Sequence, residues 1–141
     1  MNIVDRLLSL FRSDKTDTQG AEKLTQSFSQ IVFRLMYKKN EIGTLTFDNN
    51  SWVFVYSDWF KNQSAIKPFS NFPDVNQKYD SVDLPPFFES RIPGYSQPHV
   101  EAFLAHLYME KPINEVETKA ALLKKFGRFT ITNPFELQSA F

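Results

Sequence analysis

Three runs of the sequence decide the fold: Ile31-Val32-Phe33-Arg34-Leu35-Met36-Tyr37, Ile42-Gly43-Thr44-Leu45-Thr46-Phe47 and Trp52-Val53-Phe54-Val55-Tyr56. Each is rich in β-branched and aromatic residues and long enough for a strand. Between them lie only the polar turns Lys38-Lys39-Asn40-Glu41 and Asp48-Asn49-Asn50. Strands joined by connections this short run antiparallel, because a parallel neighbour needs a long crossover. The reading is therefore α+β: a small antiparallel β-sheet meander followed by three or four short helices packed on it, all in a single domain.

Downstream, Ser57-Asp58-Trp59-Phe60 starts a short helical turn, with Ser57 or Asp58 as its cap. Residues 61–86 read as loop, with Pro68, Pro73, Pro85 and Pro86 in it and irregular strand expected around Phe69. A connection of that length in a compact domain is usually functional or locally disordered. Pro86 opens a helix over Phe87-Phe88-Glu89-Ser90, since proline suits a first helical turn. A second helix runs from Pro98 to Tyr108 with Val100, Phe103, Leu104 and Leu107 on one face. A third is capped by Asn114, with Glu117 in the capping-box position, and stopped by Gly127. Asn133-Pro134-Phe135-Glu136-Leu137 is expected to start one last helical turn.

Upstream, Val4, Leu7, Leu8 and Phe11 fall on one face of a short amphipathic helix over residues 1–12. It is far shorter than the roughly 20 residues a bilayer requires. It reads either as a strap on the domain's own core or as a docking helix or membrane-surface anchor. Residues 13–30 read as a linker, polar and aperiodic up to Gly20, and residues 31–141 as the domain.

Composition narrows the function. The 141 residues carry 16 Lys+Arg against 16 Asp+Glu, so nothing draws the whole molecule toward nucleic acid or an anionic membrane. The absence of cysteine removes disulfides, thiolate nucleophiles and Cys-ligated zinc, and fits a reducing, cytoplasmic setting. His99 and His106 lie about two helical turns apart, too far to chelate one ion, so no metal site is expected. No phosphate loop, dinucleotide fingerprint, nucleophile elbow or zinc-protease motif occurs, and the isolated glycines Gly20, Gly43, Gly94 and Gly127 build no phosphate cradle. No catalytic residue, cofactor or enzymatic activity is expected. Aromatic content is high, at 16%, and a domain this small cannot bury every ring. Exposed rings gathered on one side suggest a partner interface.

The string from Ile31 to Pro93 resembles the N-terminal subdomain that precedes the kinase core in HipA-type Ser/Thr kinase toxins. The elements that carry the resemblance are Ile42-Gly43-Thr44-Leu45, then Trp52-Val53-Phe54-Val55-Tyr56-Ser57-Asp58-Trp59-Phe60, then Pro68-Phe69-Ser70 with Pro73. The most specific is Pro86-Phe87-Phe88-Glu89-Ser90-Arg91-Ile92-Pro93-Gly94, and Asn133-Pro134-Phe135-Glu136-Leu137 is a weaker echo of the turn that ends the subdomain. The family's Leu-Leu-Pro-Glu-Gly stretch is replaced here by Arg91-Ile92-Pro93-Gly94-Tyr95, and the segment between Phe72 and Leu84 is longer and more polar. The ATP-phosphate loop, catalytic Asp and Mg²⁺-binding residues of the kinase are not present in these 141 residues.

A free-standing copy of the subdomain is similar to the HipS subunits of HipB–HipS–HipT toxin–antitoxin systems. That resemblance implies a HipT-like Ser/Thr kinase as partner, bound in trans and inhibited, with a HipB-like helix-turn-helix protein in the same complex. The alternative is an accessory structural subunit of a HipB-containing repressor that does not neutralise the kinase. Direct nucleic-acid binding and membrane binding are not expected. The residues expected to meet the partner are Trp59, Phe69, Phe72, Asp74, Tyr79, Phe87, Glu89 and Arg91. Among these the loop from Pro68 to Tyr79 is expected to project its rings, so that Phe72→Ala and Asp74→Ala weaken inhibition without lowering the melting temperature. Phe87, Phe88 and Ile92 read equally as core residues of their short helix.

Overall fold

The computed structural model describes residues 30–110 and 112–141. The expected N-terminal helix and nearly all of the linker lie outside them. Five antiparallel strands form one sheet: β1 (Ile31–Tyr37), β2 (Asn40–Asp48), β3 (Ser51–Tyr56), β4 (Tyr79–Ser81) and β5 (Glu136–Ser139), in the order β4-β3-β2-β1-β5. Four helices accompany it among the described residues: α1 (Asp58–Lys61), α2 (Pro86–Glu89), α3 (Pro98–Glu110) and α4 (Glu115–Phe126). The α+β expectation holds.

The meander forms as its alternation dictates. Ile31, Phe33 and Leu35 of β1 are buried while Arg34 is exposed, and Trp52, Phe54 and Tyr56 of β3 are buried while Val53 and Val55 are only half so. The register aligns Phe33 with Leu45 and Leu45 with Phe54, which puts a continuous apolar row across three strands. Asn49 (φ 51°) and Asn50 (φ 62°) make the second turn, in the left-handed conformation that short polar side chains tolerate. A Cβ on Gly43 would lie 2.5 Å from the Val55 carbonyl oxygen and 2.8 Å from the Phe54 ring. Glycine is thus what lets β2 lie flat against β3 at that point.

Both edges of the sheet differ from the sequence reading. No strand forms around Phe69; the edge is β4, ten residues further on, where Tyr79 aligns with Phe54. Residues 133–137 do not form a helical turn. Asn133 Oδ1 accepts the Phe135 N–H, an Asx turn rather than a helix cap, and Leu137 aligns with Leu35 in the β1–β5 ladder. The reason lies in burial: Phe135 and Leu137 are buried with Glu136 between them, a period of two that fits a strand on the otherwise unpaired edge of β1.

The core sits on one face of the sheet. Phe60 from α1, Phe88 from α2 and Ala120 and Leu123 from α4 join the strand residues there, and α3 packs on α4 through Val100, Leu104 and Leu107 against Ala121 and Leu122. Asn114 caps α4 as expected, its Oδ1 accepting the Glu117 N–H at 2.7 Å. Ser57 caps α1, accepting the Phe60 N–H at 3.1 Å and donating to the Glu41 carbonyl, which decides between the two candidate caps.

Ahead of β4, the long connection from α1 to α2 is pinned to the sheet by one hydroxyl. Tyr56 Oη accepts the Phe69 N–H at 2.8 Å and donates to the Phe72 carbonyl at 2.7 Å. Burial pushes this hydroxyl up to about 12. An unfolded tyrosine ionises near pH 10, so above that pH the unfolded chain gives up a proton the native state retains. The contribution is full below about pH 10 and is lost as the pH rises towards 12. Tyr56→Phe should lower the unfolding free energy at neutral pH by about 1–3 kcal/mol, because two backbone groups lose their partner. Urea denaturation at stepped pH checks this: the gap between wild type and variant should narrow as the pH passes from about 10 to about 12.

Candidate functional site

Trp59 owes its position to its neighbour. On the single turn of α1, Phe60 is 1% exposed and stacks on Tyr56 at 4.5 Å, which turns the adjacent Trp59 outward to 38% exposure. The turn itself is fixed by the Ser57 cap and by Asn62, whose Nδ2 donates to the Asp58 carbonyl at 2.9 Å. The result is a large ring held at the surface on a rigid support.

Phe69, Phe72, Tyr79 and Phe87 are brought together in one aromatic cluster. Phe69 stacks on Phe87 with centroids 4.6 Å apart, Phe87 lies 6.2 Å from Phe72, and Tyr79 lies 5.2 Å from Phe72. Their roles differ. Phe72 is 3% exposed and stacked on Phe54 at 4.4 Å, so it is a core residue and the expectation of an exposed ring there is corrected. The loop carries it inward because the sheet offers Phe54 and Phe88, and a buried ring gains more from apolar contact than a projected one. Phe69 and Phe87 are half-buried and form the outer layer of the cluster. Tyr79 is also half-buried, its Oη accepting the Asp74 N–H at 2.7 Å. Asp74 is exposed, and its Oδ1 accepts the Asn76 N–H. Beside this cluster Asn71, Tyr79, Asp80 and Pro86 line a shallow cleft of about 250 Å³.

Glu89 and Arg91, at the end of α2, face other partners. Glu89 receives a hydrogen bond from Lys119 Nζ at 2.8 Å, and that bond holds the lysine above its ordinary pKa. Arg91 is 4% exposed, which corrects its placement as a surface contact. Its Nη1 donates to the Gly127 carbonyl at 3.0 Å, and its Nη2 to Asn133 Oδ1 at 3.0 Å and the Phe135 carbonyl at 2.9 Å. Burial lowers its pKa to about 10. A guanidinium whose two terminal nitrogens are bound to carbonyl oxygens in this way positions the backbone it holds, while its buried Nε–H is left without a partner.

The segment that Arg91 holds exposes two residues that sequence reasoning passed over. Phe129 is 65% exposed and Ile131 fully so. The available signal was apolar residues bracketed by Gly127 and Pro134, a loop between two chain-turning residues. His99 lies edge-on to Phe126 at 5.4 Å, a helix-surface packing role. Among the described residues there is no cluster of metal-ligating side chains, and no helix is long and apolar enough to cross a membrane.

The fold defines a class, an antiparallel sheet covered on one face by short helices through a continuous aromatic core. A family model described as the HipA N-terminal domain matches residues 33–133, and the chain belongs to that family. The domain so described is the N-terminal part of HipA, not its catalytic part. No curated protein matches the chain.

The burial of these rings sets their tolerance. Phe72→Ala should cost about 3–5 kcal/mol, as for other buried phenylalanines. Trp59→Ala should cost less than about 1 kcal/mol, since a side chain more than a third exposed leaves little cavity. Chemical denaturation of the two variants measures the contrast.

Proposed function

We propose that the protein is a HipS-like, non-catalytic antitoxin subunit that binds a HipT-like Ser/Thr kinase in trans, in the cytoplasm, and inhibits it. The observation that carries this reading is the match of residues 33–133 to the HipA N-terminal domain. A domain that accompanies a kinase without its chemistry acts by contact. The geometry supports that role. Trp59 stands exposed on a capped turn, and Phe69 and Phe87 form a half-buried aromatic layer backed by the core. Rings on rigid supports lose little conformational entropy on binding, which is the property of residues that dominate interfaces. Asp74 remains exposed and able to meet a basic group of the kinase.

The first test is whether the neighbouring reading frame encodes a short HipA-like kinase, and the second is co-expression of the chain with such a kinase. The wild-type chain should rescue growth and co-purify with the kinase. Trp59→Ala should weaken the complex by about 2 kcal/mol, near thirtyfold in affinity, while the melting temperature holds. A chain that co-purifies yet never rescues growth would favour the accessory role in a HipB-containing complex; one that does neither ends the reading.

A further inference from the structure

The sheet has a second face, and its composition is unusual for a solvated one. Val32 and Met36 on β1 and Val53 and Val55 on β3 are half-buried but belong to neither core cluster. They alternate with Phe33, Leu35, Phe54 and Tyr56, which puts them on the face opposite the core. The register aligns Val32 with Thr46 and Thr46 with Val53 in one row, and Arg34 with Thr44 and Thr44 with Val55 in the next. A face left to water normally alternates to polar residues. Here valines flank threonines, and the helix residues that pack against the strands, Phe60 of α1, Phe88 of α2 and Ala120 and Leu123 of α4, all belong to the first face.

We propose that this face is the docking site of the chain's own amphipathic segment, residues 3–11, which lies outside the described residues. The occupant is chosen by its chemistry and its tether. Val4, Leu7, Leu8 and Phe11 make a single apolar stripe. Nine residues of helix extend about 13 Å, and strands β1 to β3 span about 10 Å, so stripe and rows match in length. Asp5 stands next to the stripe, and Arg34 is exposed in the second row. The tether, residues 12–30, has a root-mean-square reach of about 24 Å and joins the sheet at Ile31, the first residue of a strand that forms this face. At the roughly millimolar effective concentration of such a link, a contact too weak to hold two separate molecules is occupied within one. The proposal is independent of the kinase-binding reading: it concerns the opposite face and the part of the chain before Phe33, where the family match begins.

The chain has no cysteine, so Ser9→Cys gives a unique attachment point for a nitroxide on the full-length, isotope-labelled protein. The expected result is broadening of the Thr44, Thr46, Val53 and Val55 amide signals, with Leu122 on α4 unaffected. Adding Leu7→Asp and Phe11→Asp to the labelled chain should restore the signals to full intensity while the rest of the spectrum keeps its native dispersion. Unchanged signals in the first experiment, or broadening that persists in the second, would overturn the proposal. So would broadening in a mixture of nitroxide-bearing unlabelled chains with isotope-labelled ones, which would make the occupant a second copy. Signals unchanged in the labelled chain, together with flotation of that chain on anionic phospholipid vesicles that is lost on Leu7→Asp and Phe11→Asp, would make the segment's target a lipid surface and overturn the proposal.

Discussion

A guanidinium taken out of water must find oxygen atoms, and Arg91 finds them at both ends of one segment. Its fork joins the residue that terminates α4, Gly127, to the residues that lead into β5, Asn133 and Phe135. Because Arg91 itself follows α2, one side chain links α2, the end of α4 and the edge strand on β1. Desolvating the charge opposes folding, as its lowered pKa records, and the oxygens bound at Nη1 and Nη2 offset part of that cost while the buried Nε stays unpartnered. Loss of any one of these acceptors would deepen the deficit that the unpartnered Nε already leaves. The loop from residue 127 to 135 is therefore held at both ends, with Phe129 and Ile131 exposed on its outside.

A parallel device holds the other long connection. Tyr56 ends β3 on the core side, and its hydroxyl fixes the backbone at Phe69 and Phe72 while its ring stacks on Phe60. Phe72 then lies on Phe54, and Phe69 on Phe87. The order of dependence runs from the sheet outward: strand residues place Tyr56, Tyr56 places the loop, and the loop places the outer rings. A surface built in this way can present aromatic groups without itself being mobile, which suits a binding role better than a free loop would.

The central sheet was legible because its signal is local. Period-two burial in β1 to β3, the Asn-containing turn and the caps Ser57 and Asn114 are each written within a few residues. The edge strands were not, since three or four residues carry too little alternation to outweigh neighbouring prolines, and only the empty edge of β1 turns residues 136–139 into a strand. The site was legible in part. Trp59 could be assigned outward because its polar flank and capped turn are adjacent in sequence. Phe72 and Arg91 could not be placed, because what buries them is remote: Phe54 lies on a strand eighteen residues earlier, and the oxygens around Arg91 come from more than thirty residues later. A charge beside a short helix reads as solvent-facing until its distant acceptors are known.

Chains this rich in aromatic residues run a risk before they meet any partner, because exposed strand edges pair with one another and assemble into aggregates. The sheet here ends in strands too short to template that pairing, three residues in β4 and four in β5. On β4 the central residue is the exposed Asp80, which places a charge at the rim. On β5 the Leu137 N–H is already taken by the Arg128 carbonyl at 2.8 Å, so one of its outward donors is closed from within. The same brevity that hid these strands from a reading of the sequence leaves little edge for a second copy to pair with.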